Sequence, residues 1–193
     1  LDAAAASIGN ETLAIKADSG SIAEIEKVIS AISKKHGRID TVFANAGVAK
    51  FSPVEEVTEA DWDWIMNINL KGVFFTVQKA LTIMPDGGSI VINSSAAHVK
   101  AFPTNGVYAA SKSGVHALTK AFALGLAPRR IRANMVSPGS IETPIFNRTE
   151  GAPPAEVARE LFKEICPLGR VGTPDEVTGA VLFLASDAAS YIT

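Results

Sequence analysis

The chain has 193 residues, 47% of them apolar and 20% charged, the balance of one folded domain with a substantial core rather than of a disordered or fibrous chain. Lys and Arg number 18 against 20 Asp and Glu, so no basic surplus points to nucleic acid, and no apolar run reaches the roughly 18 residues of a membrane span. Cys166 stands alone, so no intrachain disulfide can form, and the first residues lack a basic segment followed by a long apolar stretch; both fit a cytoplasmic setting.

Strand-like and helix-like segments alternate along the chain. Residues 12–17 (TLAIKA) read as a short strand. Ser21 and Glu24 have the spacing of a capping box, which predicts a helix to about Lys35 with Gly37 as its stop. Residues 39–44 (IDTVFA) read as a buried strand closed by Asn45-Ala46-Gly47. Thr58, with Asp61 three residues on, opens a long helical pattern to about Met84, ended by the Pro85-Asp86-Gly87-Gly88 turn. Its aromatic residues Trp62, Trp64, Phe74 and Phe75 are expected to pack in the core rather than to read a substrate.

Residues 89–93 (SIVIN) form the next strand and lead into Ser94-Ser95. A helix is expected over about 105–127; its second half, AFALGLA, is apolar all round, which implies burial on two sides, by the sheet and by a partner subunit. Residues 131–136 (IRANMV) read as a strand ended by Ser137-Pro138-Gly139, and 153–165 as a helix. Thr173-Pro174-Asp175-Glu176 combines a cap, a proline at the first helical position and a Glu at the third, and starts a helix to about Ala185. The pattern is that of a single α/β domain over residues 1–193 with a mostly parallel sheet. Asn-x-Ser/Thr triplets at Asn10, Asn93 and Asn147 read as chance matches, and His36, His98 and His116 lack ligand spacing, so no metal is assigned.

In open α/β sheets ligands bind beyond the carboxyl ends of the strands. Here those ends carry Asn45-Ala46-Gly47, Ser94-Ser95 and Ser137-Pro138-Gly139. Tyr108 and Lys112 are four apart in the helix after Ser95, hence on one face. An ammonium beside a phenol favours the phenolate and lowers its pKa from about 10, which would let the pair exchange a proton near neutral pH. The bland alternative for these two residues alone is a surface Tyr–Lys pair.

Taken together, Asn45-Ala46-Gly47, Asn69 in NLKG, Ser95 in INSS, Tyr108 and Lys112 in YAASKSGV, Pro138-Gly139 in SPGSIET, GRVGTPDEV and FLASDAASYIT make the chain resemble the short-chain dehydrogenase/reductase family over nearly its whole length. The resemblance implies a Rossmann-type doubly wound parallel sheet, NAD or NADP as cofactor, and a small-molecule ketone or secondary alcohol as substrate. It implies Tyr108 as general acid/base, Lys112 as its partner and a contact of the nicotinamide ribose, and Ser95 as the group on the substrate oxygen, with Ser94 as the alternative. Asn69 would kink its helix and hold a water that relays protons to the lysine. Asp18 would meet the adenine amino group; Asn45, Ala46 and Gly47 would line the adenosine ribose. Pro138 and Gly139 would lie under the nicotinamide, with Ser140, Ile141 and Thr143 against the carboxamide and diphosphate. Residues 141–167 would form the substrate lid, and the intact protein would be a homodimer or homotetramer.

The family's opening strand and Gly-rich phosphate turn have no counterpart here, and the chain stops before the family's last strand. The expectation is a partial domain lacking the first βαβ strands, inactive alone, with TLAIKA and IDTVFA separated by about three strand spacings, roughly 14 Å. The competing reading is a non-catalytic scaffold or binding subunit on the same fold. Among enzymes, a 3-oxoacyl-carrier-protein reductase, a sugar or polyol dehydrogenase and a xenobiotic carbonyl reductase stay open.

Overall fold

A computed structural model of the chain describes residues 1–9 and 11–193, without the side chains of Asp2 and Phe146. The triplet at Asn10 and the place of Phe146 in the lid therefore lie outside the described residues.

Three parallel strands form the sheet: β1 (Thr41–Ala44), β2 (Ser89–Asn93) and β3 (Arg132–Val136), in the order β1-β2-β3. Val42 pairs with Ile90 and Ile90 with Ala133, so alternate residues of the three strands line up on one face. That face packs against Val73, Val77 and Ala80 of α4 (Val73–Ala80) and Val115 of α5 (Gly106–Leu126), with Ile131 and Met84 at its rim. On the opposite face α8 (Pro174–Ala185) lies against β2, where the Ser89 hydroxyl donates to Leu184 O at 3.0 Å. β2 is buried on both sides, as a central parallel strand must be. β1 buries one side only; Phe43 is 43% exposed.

Residues 12–17 are not a strand. They join no ladder among the described residues; they run between α1 (Asp2–Ile8) and α2 (Ile22–His36), with Leu13 exposed. An apolar run becomes a strand only where another strand offers its hydrogen-bonding edge, and none does so here. The expected three-spacing gap thus has no counterpart in the sheet.

α2 starts and stops as the sequence directs. Ser21 Oγ accepts from Glu24 N–H, and Gly37 closes the helix at φ 78°. The Glu24 carboxylate completes no reciprocal box; it takes the Asp18 N–H at 2.6 Å instead. The long helical pattern is continuous from Glu59 to Ala80, but in three parts: α3 (Glu59–Met66), a widened π-type stretch (Asn67–Gly72) and α4. It stops short of Met84 in a turn. Trp62 and Trp64 are 46% and 44% exposed, against the expectation of core packing, because Ile65 takes the inward face of α3. Phe74 does pack, against Phe75 and against Phe122, with ring centroids 5.2 and 5.8 Å apart. The apolar end of α5 buries one side: Phe122, Ala123 and Leu126 meet the core while Leu124 stands 80% exposed.

The remaining helices are α6 (Ile145–Arg148) and α7 (Ala155–Ile165), followed by α8, whose Glu176 takes the Thr173 N–H at 2.9 Å as its cap predicts.

The loop at Asp18–Gly20 is docked on the widened stretch so closely that a Cβ on Gly72 would stand 2.3 Å from Ser19 O. Backbone cannot retreat as a flexible side chain can. Gly72→Ala is expected to destabilise the protein by about 1–3 kcal/mol, read as a shifted urea midpoint; an unchanged midpoint would show that this loop does not sit on the helix.

Candidate active site

The carboxyl end of β2 meets the first turns of α5 through three consecutive residues. Lys112, only 4% exposed, donates from Nζ to Asn93 O at 2.9 Å. Ser94 is buried and its hydroxyl donates to Lys112 O at 3.4 Å. The Ser95 hydroxyl accepts from Ala97 N–H at 3.2 Å and lies near enough to the Tyr108 phenol to act on its acidity. Successive strand residues face opposite ways, so Ser94 is spent on helix packing and Ser95 is the one that reaches the phenol. The Ser95 loop is braced from two sides: Ala96 N–H donates to Pro138 O at 2.9 Å, and His98 Nδ1 lies 2.7 Å from Ser95 O.

The electrostatics differ from the expectation drawn from spacing. Burial pushes the Tyr108 phenol above its ordinary pKa, and the Ser95 hydroxyl draws it only partly back. The lysine does not lower it: Lys112 Nζ sits 5.8 Å from the centre of the Tyr108 ring and bonds to Asn93 O. Burial also lowers Lys112 itself, to about 8, because the ammonium has lost most of its water.

Asn69 is fully buried in the widened stretch. Its Oδ1 accepts from Val48 N–H at 2.8 Å, and its Nδ2 donates to Val48 O at 2.9 Å and to Ser111 Oγ at 3.1 Å. Its side chain thereby clamps the residue that follows Asn45-Ala46-Gly47. A Cβ on Gly47 would stand 3.5 Å from both Asn69 Oδ1 and Lys112 Nζ, so the glycine, Asn69 and the lysine meet at one wall. Asn45 and Ala46 are exposed beside it, and Asn45 Oδ1 accepts from Asn93 Nδ2 at 2.7 Å.

Other expected positions lie further out. Asp18 Oδ1 accepts from Gly20 N–H at 2.8 Å, as a turn aspartate does, and its turn packs on Asn67 and Ile68 rather than joining the Ser95–Tyr108–Lys112 group. Gly139 is exposed, with open space where a side chain would be. Ser140 O accepts from Gly172 N–H at 3.0 Å and Ile141 bridges to Gly172, which fixes the base of the 141–167 segment; Thr143 is half-buried there. The tip of that segment reaches across to residues 50 and 51. Glu150 pairs with Lys50, Phe51 N–H donates to Glu150 O at 2.8 Å, and Lys50 Nζ lies 2.9 Å from Asp61 and 3.0 Å from Glu150.

Sequence reasoning missed Asn93, Ser111 and the Lys50–Glu150 contact. Asn93 could have been suspected as the polar end of an apolar strand, and Ser111 as the residue between the helix's small positions and its lysine. The Lys50–Glu150 contact had no local signal.

The wall suits a dinucleotide. It offers the exposed Asn45–Gly47 backbone and two Lys112 N–H donors beyond the one given to Asn93 O. It also holds a buried acceptor, Asn93 Oδ1, that no protein donor meets among the described residues.

Comparison with known proteins gives the same direction. A family model described as Enoyl-(Acyl carrier protein) reductase matches residues 1–193. The chain is 45% identical over 172 residues to the 3-oxoacyl-(acyl-carrier-protein) reductase FabG of Thermotoga maritima, covering 88% of this chain and 68% of that protein. Among solved structures, a short-chain dehydrogenase/reductase from Serratia marcescens superposes with a TM-score of 0.90 at 35% identity, over 100% of this chain and 78% of the other. A Brucella melitensis protein described as a glucose/ribitol dehydrogenase superposes with a TM-score of 0.91, also at 35% identity, over 100% and 77%. With its parallel sheet, its Ser95–Tyr108–Lys112 group and these likenesses, the chain belongs to the short-chain dehydrogenase/reductase family of NAD(P)-dependent oxidoreductases.

Proposed function

We propose that the chain carries the catalytic site of a carbonyl reductase or secondary-alcohol dehydrogenase in which Tyr108 moves the proton. The observation that carries this reading is the Ser95 hydroxyl set near enough to the Tyr108 phenol to act on its acidity, with the buried Lys112 ammonium 5.8 Å from the centre of the same ring. When bound, the nicotinamide exchanges a hydride with the substrate carbon. Tyr108 gives its hydroxyl proton to the carbonyl oxygen during reduction, or takes it from the alcohol in reverse. Ser95 Oγ donates a hydrogen bond to the same oxygen and stabilises the charge that develops there. Lys112 holds a ribose hydroxyl with an N–H not given to Asn93, and its positive charge replaces the phenol's lost proton electrostatically. Asn69 keeps the Asn45–Gly47 wall in place through Val48.

A phenol whose pKa burial has raised is stored as the neutral acid, which suits reduction. A scaffold would need neither the buried ammonium nor the Ser95–Tyr108 contact. The 45% likeness to a 3-oxoacyl-(acyl-carrier-protein) reductase supports a 3-oxoacyl thioester as the first substrate to test. The likeness to proteins described as glucose/ribitol dehydrogenase and levodione reductase puts an aldohexose and a cyclic diketone on the same panel.

In the full polypeptide, NADH and NADPH oxidation should be followed with acetoacetyl thioester and a cyclic diketone, and NAD and NADP reduction with an aldohexose. At least one should be turned over, and Tyr108→Phe should lower that kcat by about 100-fold or more with the circular dichroism spectrum unchanged. Near-normal rates in Tyr108→Phe, or no turnover of any member, would defeat this reading.

Lys112 makes a second test through stability. Its folded pKa of about 8 lies below its ordinary 10.5, so between these values the unfolded chain binds the extra proton and stability rises with pH. From pH 7 to pH 9 the gain is about 1.4 kcal/mol. Lys112→Met should lack this rise in urea melts; parallel pH curves for the two proteins would show that the lysine is not buried as described.

The exposed Leu124 side of α5 supports self-association as a homodimer or homotetramer. Light scattering should give twice or four times the chain mass, and a monomer would exclude it.

A further inference from the structure

We propose that Ser111 is a positioning residue: it ties Asn69, and through Asn69 the Val48 backbone beside the cofactor wall, to the turn of α5 that carries Tyr108. The inference rests on the functional reading above.

Ser111 is fully buried, one residue before Lys112. Its hydroxyl has one hydrogen, and that hydrogen goes to Tyr108 O at 2.7 Å. Only lone pairs remain for Asn69, so the atom facing it must be the amide nitrogen, and Asn69 Nδ2 donates to Ser111 Oγ at 3.1 Å. This choice sends Asn69 Oδ1 the other way, towards Val48 N–H and the point on Gly47 that Lys112 Nζ also approaches. An amide oxygen is a favourable neighbour for an ammonium; an amide nitrogen is not.

A serine that merely bonds back to the carbonyl three residues earlier is common in helices, and needs nothing from another element. Ser111 instead uses both valences, one within α5 and one on the α3–α4 helix. Its neighbours Ala109 and Ala110 are better helix formers than serine, so local preference does not account for it. Two elements that bring opposite sides of the site therefore meet at one hydroxyl. The Tyr108 turn lies on one side of it, and the Val48 loop on the other.

The test is a double-substitution cycle on kcat in the full polypeptide, using whichever panel substrate is turned over, with its cofactor. Ser111→Ala leaves both Asn69–Val48 bonds available. It should lower kcat about tenfold with the cofactor KM within twofold of the parent, and it should cost less than twofold more in an Asn69→Ala background. Ser111→Thr, which keeps the hydroxyl, should retain kcat within threefold, and it serves as the probe if the alanine variant does not fold. A parental kcat in Ser111→Ala, an equal tenfold loss with and without Asn69, or a tenfold loss in soluble, folded Ser111→Thr would overturn the proposal. Tyr108→Phe measured alongside separates the two ideas. If it is inactive while Ser111→Ala is normal, only the role of Ser111 falls; if it is active, the functional reading itself falls.

Discussion

The site is organised around an ammonium group that has been taken out of water. Lys112 is 4% exposed, and a buried charge without compensation is among the costliest things a fold can contain. Its protein partner is the Asn93 carbonyl at the end of β2, and its lowered pKa records how incomplete that replacement is. The bond does more than solvate the lysine. It fixes how far α5 lies along β2, and this in turn sets where a phenol one helical turn earlier can stand. Ser94 adds a second tie between the same strand end and the same helix, and Ser95 then meets Tyr108. Had the lysine been surface-exposed, the strand and helix could slide relative to one another with little penalty, and the Ser95–Tyr108 contact would have no fixed reference.

The proton inventory follows from the same burial. Spacing alone suggests that the lysine draws the phenol towards its anion, because charge attraction is the effect easiest to see in a sequence. Desolvation acts the other way, and with the ammonium 5.8 Å from the ring centre and bonded to a carbonyl, desolvation wins. The two groups are pushed towards their neutral forms, the phenol upward and the amine downward. Their order is thereby reversed and the gap between them widened, the amine falling to about 8 while the phenol rises above its ordinary value, although neither is driven across neutrality. At pH 7 the pair therefore holds a proton on Tyr108 beside a still largely cationic Lys112, the state that the proposed proton transfer to a carbonyl oxygen requires.

Much of this was legible in the sequence, and the parts that were not share a cause. Ser21, Thr173 and Gly37 act through neighbours within four residues, so their helix ends could be read directly. Tyr108 and Lys112 share a helix face for the same reason. TLAIKA failed because a strand is defined by its partner, and composition cannot supply one. Trp62 and Trp64 failed because hydrophobicity says what can be buried, while Ile65 had already taken the inward face of α3. The choice between Ser94 and Ser95 could not be made by chemistry, since the two are alike; the alternation of the strand makes it once the position of α5 is known. Ser111 was hidden differently: its role depends on Asn69, 42 residues earlier.

The 141–167 segment is anchored differently at its two ends. Its base is held by two backbone bonds between Ser140, Glu142 and Gly172, reinforced by the paired hydrogen bonds of Arg159 to Glu142 at 2.6 and 2.8 Å. Its tip is held by Phe51 N–H on Glu150 O and by an ion pair whose Glu150 side chain is 75% exposed. Exposed ion pairs contribute little and weaken with salt, so the Phe51–Glu150 backbone bond is the firmer part of the tip's contact. Gly151 belongs to the same contact: it sits at φ 76°, and a Cβ there would fall 1.8 Å from Phe51 O, so the closed approach demands glycine. Ser95, Tyr108 and Lys112 share none of these contacts. They are held by a strand end, a buried helix and an amide clamp, so the contact of the tip with residues 50 and 51 adds nothing to their placement.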